Sequence, residues 1–275
     1  MKRKYFKTLS ITTFILVVIG YEMYQYYVPP KERKPYTIVK KYNDTIRVAY
    51  IGDSWASFHQ PYDKRISDSL SNKLNHPARV SSLGFCGRSS KEIYEYFFDI
   101  PEMVSFLSKG YDYCFISVGI NDANKKMSTN YYEQSMACII QFFLANQITP
   151  ILLEIPDYDI ERMYRWEIPS RKLLRPFSRL VTGTPINCKK EFRQTLDNLL
   201  LEKQYGRKVQ VIRYKTWNSN YADDLKNYYE RDGIHLNDKG YAKLDSCIVE
   251  TCIKLHNSAA DGKELNSTKS VTPHR

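Results

Sequence analysis

The pattern of apolar and polar positions divides the chain into short apolar runs that alternate with segments of helical period. Residues 46–51, 79–83, 113–118, 149–155 and 208–214 are the short runs, and 113–118 is the most apolar of them. Short runs dominated by apolar residues, 113–118 above all, are typical of strands buried on both faces. Between them, residues 66–74, 90–107, 131–146, 188–204 and 240–255 carry apolar side chains at helical spacing, with a break near Pro101. Such alternation predicts an α/β fold, with a mostly parallel five-stranded sheet covered by helices on both faces. The chain has no internal repeat, and its polar end, residues 257–275, is expected to be a disordered tail.

The first residues follow a different pattern. Lys2, Arg3, Lys4 and Lys7 precede an uncharged run, 9–20, which continues in aromatic style to residue 28 and is broken by Glu22. Residues 8–28 together reach the roughly 20 residues that a membrane span needs. Bulky Tyr, Met and Gln stand where a small-x-small cleavage site would follow. The pattern predicts an N-terminal signal-anchor helix over 1–28, with secretion as the outcome if it is cleaved. A stiff proline-containing linker follows over 29–41, then one catalytic-size domain over 42–256. The basic N-terminal flank places that domain on the extracytoplasmic side, periplasmic or cell-surface, although the basic residues of 31–41 weigh against this.

Charge and cysteine content narrow the classes further. Of the formal net charge of +11, residues 1–41 contribute nine basic and two acidic side chains, so the basicity is mainly N-terminal and a nucleic-acid partner is not expected. The six cysteines show no metal-ligand spacing, and no metal or disulfide is expected. Cys114 and Cys138 fall in apolar segments and read as core residues.

In a parallel α/β sheet, functional groups gather beyond the carboxyl ends of the strands. Here those ends carry Gly52-Asp53-Ser54-Trp55, Gly84-Phe85-Cys86-Gly87, Gly119-Ile120-Asn121-Asp122 and, before the last helix, Asp232-Gly233-Ile234-His235. Each motif alone is more often a turn or a surface pair. Together they supply the parts of acyl transfer: a hydroxyl nucleophile (Ser54), a base (His235) and a carboxylate to orient it (Asp232). The oxyanion donors would be the Ser54 and Gly87 backbone N–H groups and the Asn121 amide. Asp53 and Asp122 read as supports, His76 as a loop residue, and His59 as a surface residue.

These four blocks resemble the SGNH (GDSL-type) serine hydrolases over about residues 45–255. Ser54 matches the first-block nucleophile, Gly87 the second-block glycine with Gly84 as the turn glycine before it, Asn121 the third block, and Asp232 with His235 the fifth. Trp55 replaces the leucine of the name-giving motif, and Ser82 stands where asparagine is common. The resemblance implies a flavodoxin-like three-layer α/β/α sandwich and ester hydrolysis without metal or organic cofactor. Trp55, beside the nucleophile, is a candidate for shaping the substrate pocket.

The substrate is constrained less. Residues 162–193 hold nine basic side chains against Glu167 and Glu191, interleaved with apolar ones, and follow the fourth strand. They suit a lid over the catalytic edge that contacts an anionic partner, an acidic polysaccharide or lipid head groups, with Arg165 and Arg175 as candidate contacts. The leading expectation is a carbohydrate O-acetyl esterase acting on an extracytoplasmic polysaccharide, with the membrane as a further partner through the N-terminal helix. The alternatives are a lipid-ester or thioester hydrolase, an acyltransferase, and a non-catalytic envelope-binding protein on the same scaffold.

Overall fold

The computed structural model describes residues 2–40, 44–160, 169–218 and 220–268. Five strands form one sheet: β1 (Ile46–Gly52), β2 (Ala78–Gly84), β3 (Tyr113–Ser117), β4 (Thr149–Leu153) and β5 (Gln210–Ile212). Their order is β2-β1-β3-β4-β5, and every pairing is parallel. The interior positions of the central strands are apolar because both sheet faces are covered. Val48, Ala49, Ile51, Phe115, Ile116, Ile151 and Leu152 are all buried.

The helices follow from local signals. They are α1 (Lys2–Tyr27), α2 (Ser54–His59), α3 (Asp63–Leu74), α4 (Ser90–Asp99), α5 (Pro101–Leu107), α6 (Ile120–Lys125) and α7 (Thr129–Ala145). After β4 come α8 (Pro169–Thr182), α9 (Lys189–Glu202), α10 (Tyr221–Tyr228) and α11 (Asp238–Thr268). Ser89 and Glu92 form a reciprocal capping box at the start of α4. Pro101 holds Ile100 extended and starts α5, which explains the break in the 90–107 pattern. The fifth strand is shorter than expected, because Gly206–Lys208 forms a 3₁₀ turn ahead of it.

Right-handed crossovers then assign the layers. The path from β1 to β2 runs one way along the sheet, and the paths to β3, β4 and β5 run the other. This puts α3 on one face and α4, α5, α7 and α9 on the opposite face. α11 packs beside α3, while α4 and α9 pack against α7. The order reverses at β1, so the crevice between the carboxyl ends of β1 and β3 is the place for a site.

Four expectations need correction. Residues 2–27 are helical, yet among the described residues no helix is long and apolar enough to cross a membrane, so a spanning anchor is not supported. The apolar run ends at Gly20, and Glu22 and Gln25 follow it. The stiff linker expected ahead of the domain is instead packed onto it. Pro30 and Ile38 are buried, the Arg33 N–H donates to the Tyr94 hydroxyl (2.7 Å), and the Ile38 N–H donates to Asn146 Oδ1 (2.7 Å). The polar tail continues α11 to Thr268. All six cysteines are free, with Cys114 and Cys138 buried as expected.

The fourth correction is His59, which is fully buried. Its Nδ1 lies 3.1 Å from Asp63 Oδ1 and 2.9 Å from Ser82 Oγ, and its Nε2 lies 2.9 Å from Asp245 Oδ1. Arg65 also donates to Asp245. Burial alone would lower the imidazole pKa, but the bonds to Asp245 and Asp63 outweigh it and the value is raised. A histidine raised on folding stabilises most below its unfolded value near 6.5, and loses that contribution as pH rises through the folded value. Replacing His59→Asn should therefore lower stability by about 2 kcal/mol near pH 6, since buried Asp245 keeps only Arg65 and partly exposed Asp63 loses its charged partner. Urea melts at pH 6 and pH 9.5 test this. The loss should be clearly smaller at pH 9.5, and equal losses would mean the imidazole is neutral in the fold.

Candidate active site

Ser54 is the first residue of α2, directly beyond β1. Asp53 caps that helix, accepting the Trp55 N–H at 3.0 Å, and its own N–H reaches Ser117 O of β3 at 3.2 Å. The turn needs glycine before it, because a Cβ on Gly52 would lie 2.1 Å from Ser117 O. The turn that carries Ser54 is thus pinned to the neighbouring strand.

His235 arrives from the other end of the chain. Asp232 Oδ1 accepts the N–H groups of Ile234 (2.9 Å) and His235 (3.0 Å), while Oδ2 accepts Nδ1–H of His235 at 2.6 Å. One carboxylate therefore folds its own loop and orients the ring. Gly233 turns with φ +74, and Asn237 caps α11 immediately afterwards. Nε2 of His235 lies 2.9 Å from Ser54 Oγ. The chain Asp232–His235–Ser54 is complete and continuous. Burial tends to raise the Asp232 pKa, but the hydrogen bonds from His235 and the Ile234 N–H hold it at about 2. It stays ionised at any working pH and fixes the proton of the resting imidazole on Nδ1.

The candidate oxyanion donors Gly87 and Asn121 follow β2 and β3. Gly87 has φ +74, and nothing lies within 4 Å of a Cβ placed there, so its backbone borders open space. Asn121 lies in the first turn of α6, and its Nδ2 donates to Asp53 Oδ2 at 3.0 Å. One amide hydrogen orients the group, and the amide carries a second that this bond does not use. Asp53 is buried, which raises its pKa to about 7 against the opposing Trp55 N–H bond, the nearby His235 and the Asn121 bond. Asp122 is likewise buried, raised to about 6, and holds the N–H and hydroxyl of Ser90, bracing the loop as expected.

The structure brings together Ser54, Asp232 and His235 and ties Asn121 to Asp53 beside them, while Gly87 stands on the loop that follows β2. Trp55 is fully buried and meets Trp217 edge-on at 5.7 Å, so it supports the Ser54 turn from behind and does not line a pocket. Arg165 lies outside the described residues, as does the Arg175 side chain. The residue beside the chemistry that sequence reasoning passed over is Phe58. Its ring is 4.9 Å from the His235 ring and is 46% exposed. Its spacing of four from Ser54 puts both on one face of α2, the only signal available. Among the described residues, no cluster of His, Cys, Asp and Glu is arranged to hold a metal ion.

Known proteins agree with this geometry at the level of family and fold. Solved structures with a similar fold include a lipase/acylhydrolase from Enterococcus faecalis (17% identity, TM-score 0.53, covering 75% of this chain and 94% of that one). The acetyl xylan esterase AlAXEase is similar (17%, 0.54, 75% and 99%), as is the psychrotrophic esterase EstA from Pseudoalteromonas sp. (12%, 0.52, 78% and 100%). No curated protein matches the sequence. The family description "GDSL-like Lipase/Acylhydrolase" matches residues 50–243, which span all four strand-end blocks, and the chain belongs to that family.

Proposed function

We propose that the protein is a serine ester hydrolase that removes short acyl groups, O-acetyl above all, from an extracytoplasmic carbohydrate. The observation that carries the reading is the continuous hydrogen-bonded chain from Asp232 through His235 to Ser54. In this reading Ser54 Oγ attacks the ester carbonyl carbon as His235 Nε2 takes its proton. The carbonyl oxygen becomes an oxyanion and accepts the N–H groups of Ser54 and Gly87 and the free amide hydrogen of Asn121. Collapse of the tetrahedral intermediate breaks the bond to the alcohol, which leaves with the proton held by His235. Water then attacks the acyl-enzyme with His235 again as base, and the carboxylic acid departs as Ser54 recovers its proton.

Support for an acetylated carbohydrate comes from the acetyl xylan esterase among the fold relatives. Support for an extracytoplasmic setting comes from the basic, then apolar, N-terminal sequence. The full-length protein should hydrolyse p-nitrophenyl acetate faster than the butyrate and the octanoate, and should release acetate from acetylated xylan. A kcat/KM that rises toward octanoate, with no acetate released, would instead favour a lipid-ester or thioester hydrolase.

A further inference from the structure

Exposed large apolar side chains are not spread evenly over this molecule. Among the described residues of the α/β body, Phe58, Phe177, Leu180, Val181 and Ile186 are exposed, and only Val39 and Leu201 join them elsewhere. Phe58 is on α2 beside His235. Phe177, Leu180 and Val181 are on α8, with Ile186 just after it. Thr182 and Thr184 tie that end of α8 to the carbonyls of Lys126 and Met127, directly after α6 (2.8 Å each). These five residues therefore sit at the carboxyl edge of the sheet, the catalytic edge. Val39 adjoins Gly110, and Leu201 ends α9, both at the opposite edge.

The N-terminal helix leaves from the same edge. The Tyr27 hydroxyl bonds Ser178 of α8, Lys91 Nζ at the start of α4 reaches Val28 O at 3.0 Å, and Lys125 at the end of α6 stands 5.9 Å from the Tyr26 ring. From there residues 28–40 run down the α4–α7 layer through Arg33 to Tyr94 and Ile38 to Asn146, and end with Lys40 paired to Asp112. This strap fixes where α1 emerges. Residues 11–20 of α1 are exposed on every side, with Phe14 69% and Leu16 63% exposed.

All-round exposure selects the occupant. A helix that packs on a protein surface carries a single apolar stripe, whereas a run that is apolar and exposed all round, as here, suits insertion among lipid chains. The charge pattern agrees. The start of α1 contains Lys2, Arg3, Lys4 and Lys7, and the α8 sequence contains Arg171, Lys172, Arg175 and Arg179 with no acidic residue. The apolar run 11–19 is about 13 Å long, too short for the roughly 30 Å core but long enough to embed at the boundary of one leaflet.

We propose that α1, the exposed face of α8 and Phe58 form one lipid-docking surface that seats the catalytic edge on an anionic phospholipid bilayer. Ser54 then faces esters presented at the membrane surface, a clause that rests on the hydrolase reading above. The docking itself does not depend on that reading.

The test uses the full-length protein with vesicles of phosphatidylcholine, alone or with one quarter phosphatidylglycerol. It should sediment with the anionic vesicles and several-fold less with the neutral ones, and Leu180→Asp with Val181→Asp should weaken that binding at least five-fold. With brominated lipid, a tryptophan introduced by Leu180→Trp should be quenched, over the wild-type background, at least twice as strongly as one introduced by Leu201→Trp. Equal quenching at both positions in bound protein would overturn the orientation. Failure to bind vesicles would overturn the surface, and retention on polygalacturonate in its place would assign the basic residues to an acidic polysaccharide. Hydrolysis of p-nitrophenyl acetate by the same sample without vesicles reports separately on the hydrolase reading.

Discussion

Replacing Ser54→Ala should lower kcat on p-nitrophenyl acetate by about 10⁴-fold or more while leaving the fold intact. The hydroxyl is the only group of the site that can form the acyl bond. Without it His235 has nothing to deprotonate, and what remains is substrate binding and the oxyanion donors. Among the described residues its hydroxyl bonds His235 Nε2 at 2.9 Å and nothing else, and that ring keeps water within reach, so the melting temperature should move little. Asp232→Asn should approach the same loss by a different route. The amide would still accept backbone N–H groups, but it could not hold the imidazole tautomer that takes the serine proton. A fluorophosphonate should label the wild type at Ser54 and leave the alanine variant unlabelled. Turnover within ten-fold of wild type in Ser54→Ala would remove this serine from the chemistry and make a binding protein on a hydrolase scaffold the better account.

The second large effect is expected at a residue that touches no substrate. Gly84 ends β2, and a Cβ added there would meet Ser57 N at 2.1 Å, Asp53 O at 2.4 Å and Ala56 C at 2.7 Å. All three are backbone atoms of the Ser54 turn and α2, so no side-chain rotation relieves the clash. The helix that begins with Ser54 would have to move by about 1 Å, and misplacement on that scale costs about 100-fold in rate. Gly84→Ala should therefore lower kcat by about two orders of magnitude with little change in KM, and lower stability by about 2 kcal/mol through overpacking. Steady-state kinetics and a urea melt of one preparation measure both. Unchanged kcat in a stable variant would show that α2 adjusts freely and that β2 does not set the nucleophile's position.

The five strands and most helices were legible because their causes are local or nearly so. A parallel strand covered on both faces has to be an apolar run, and residues 46–51 and 113–118 are such runs. Pro101 breaks a helix wherever the helix packs. The Asp232–His235 pair was legible for the same reason. A carboxylate three residues before a histidine closes its own turn through the Ile234 and His235 N–H groups, so the motif carries its geometry with it.

Burial and partners across the chain were decided by the tertiary structure. His59 looks like a polar residue at a helix end, and only packing brings Asp245, 186 residues away, to its Nε2. Trp55 sits next to the nucleophile in sequence, yet α2 turns it inward against Trp217. Gly84 reads as an ordinary turn glycine until α2 is laid across it. The prolines after residue 28 suggest a stiff linker ahead of the domain, but the backbone N–H groups of Arg33 and Ile38 find acceptors on α4 and just past the end of α7. The elements and the chemical groups at the strand ends follow from the order of residues, because hydrophobic period and turn geometry act within a few residues. The tertiary structure alone decided which groups are buried, what they pair with and where α1 leaves the body, because those depend on the packing of segments distant in the chain.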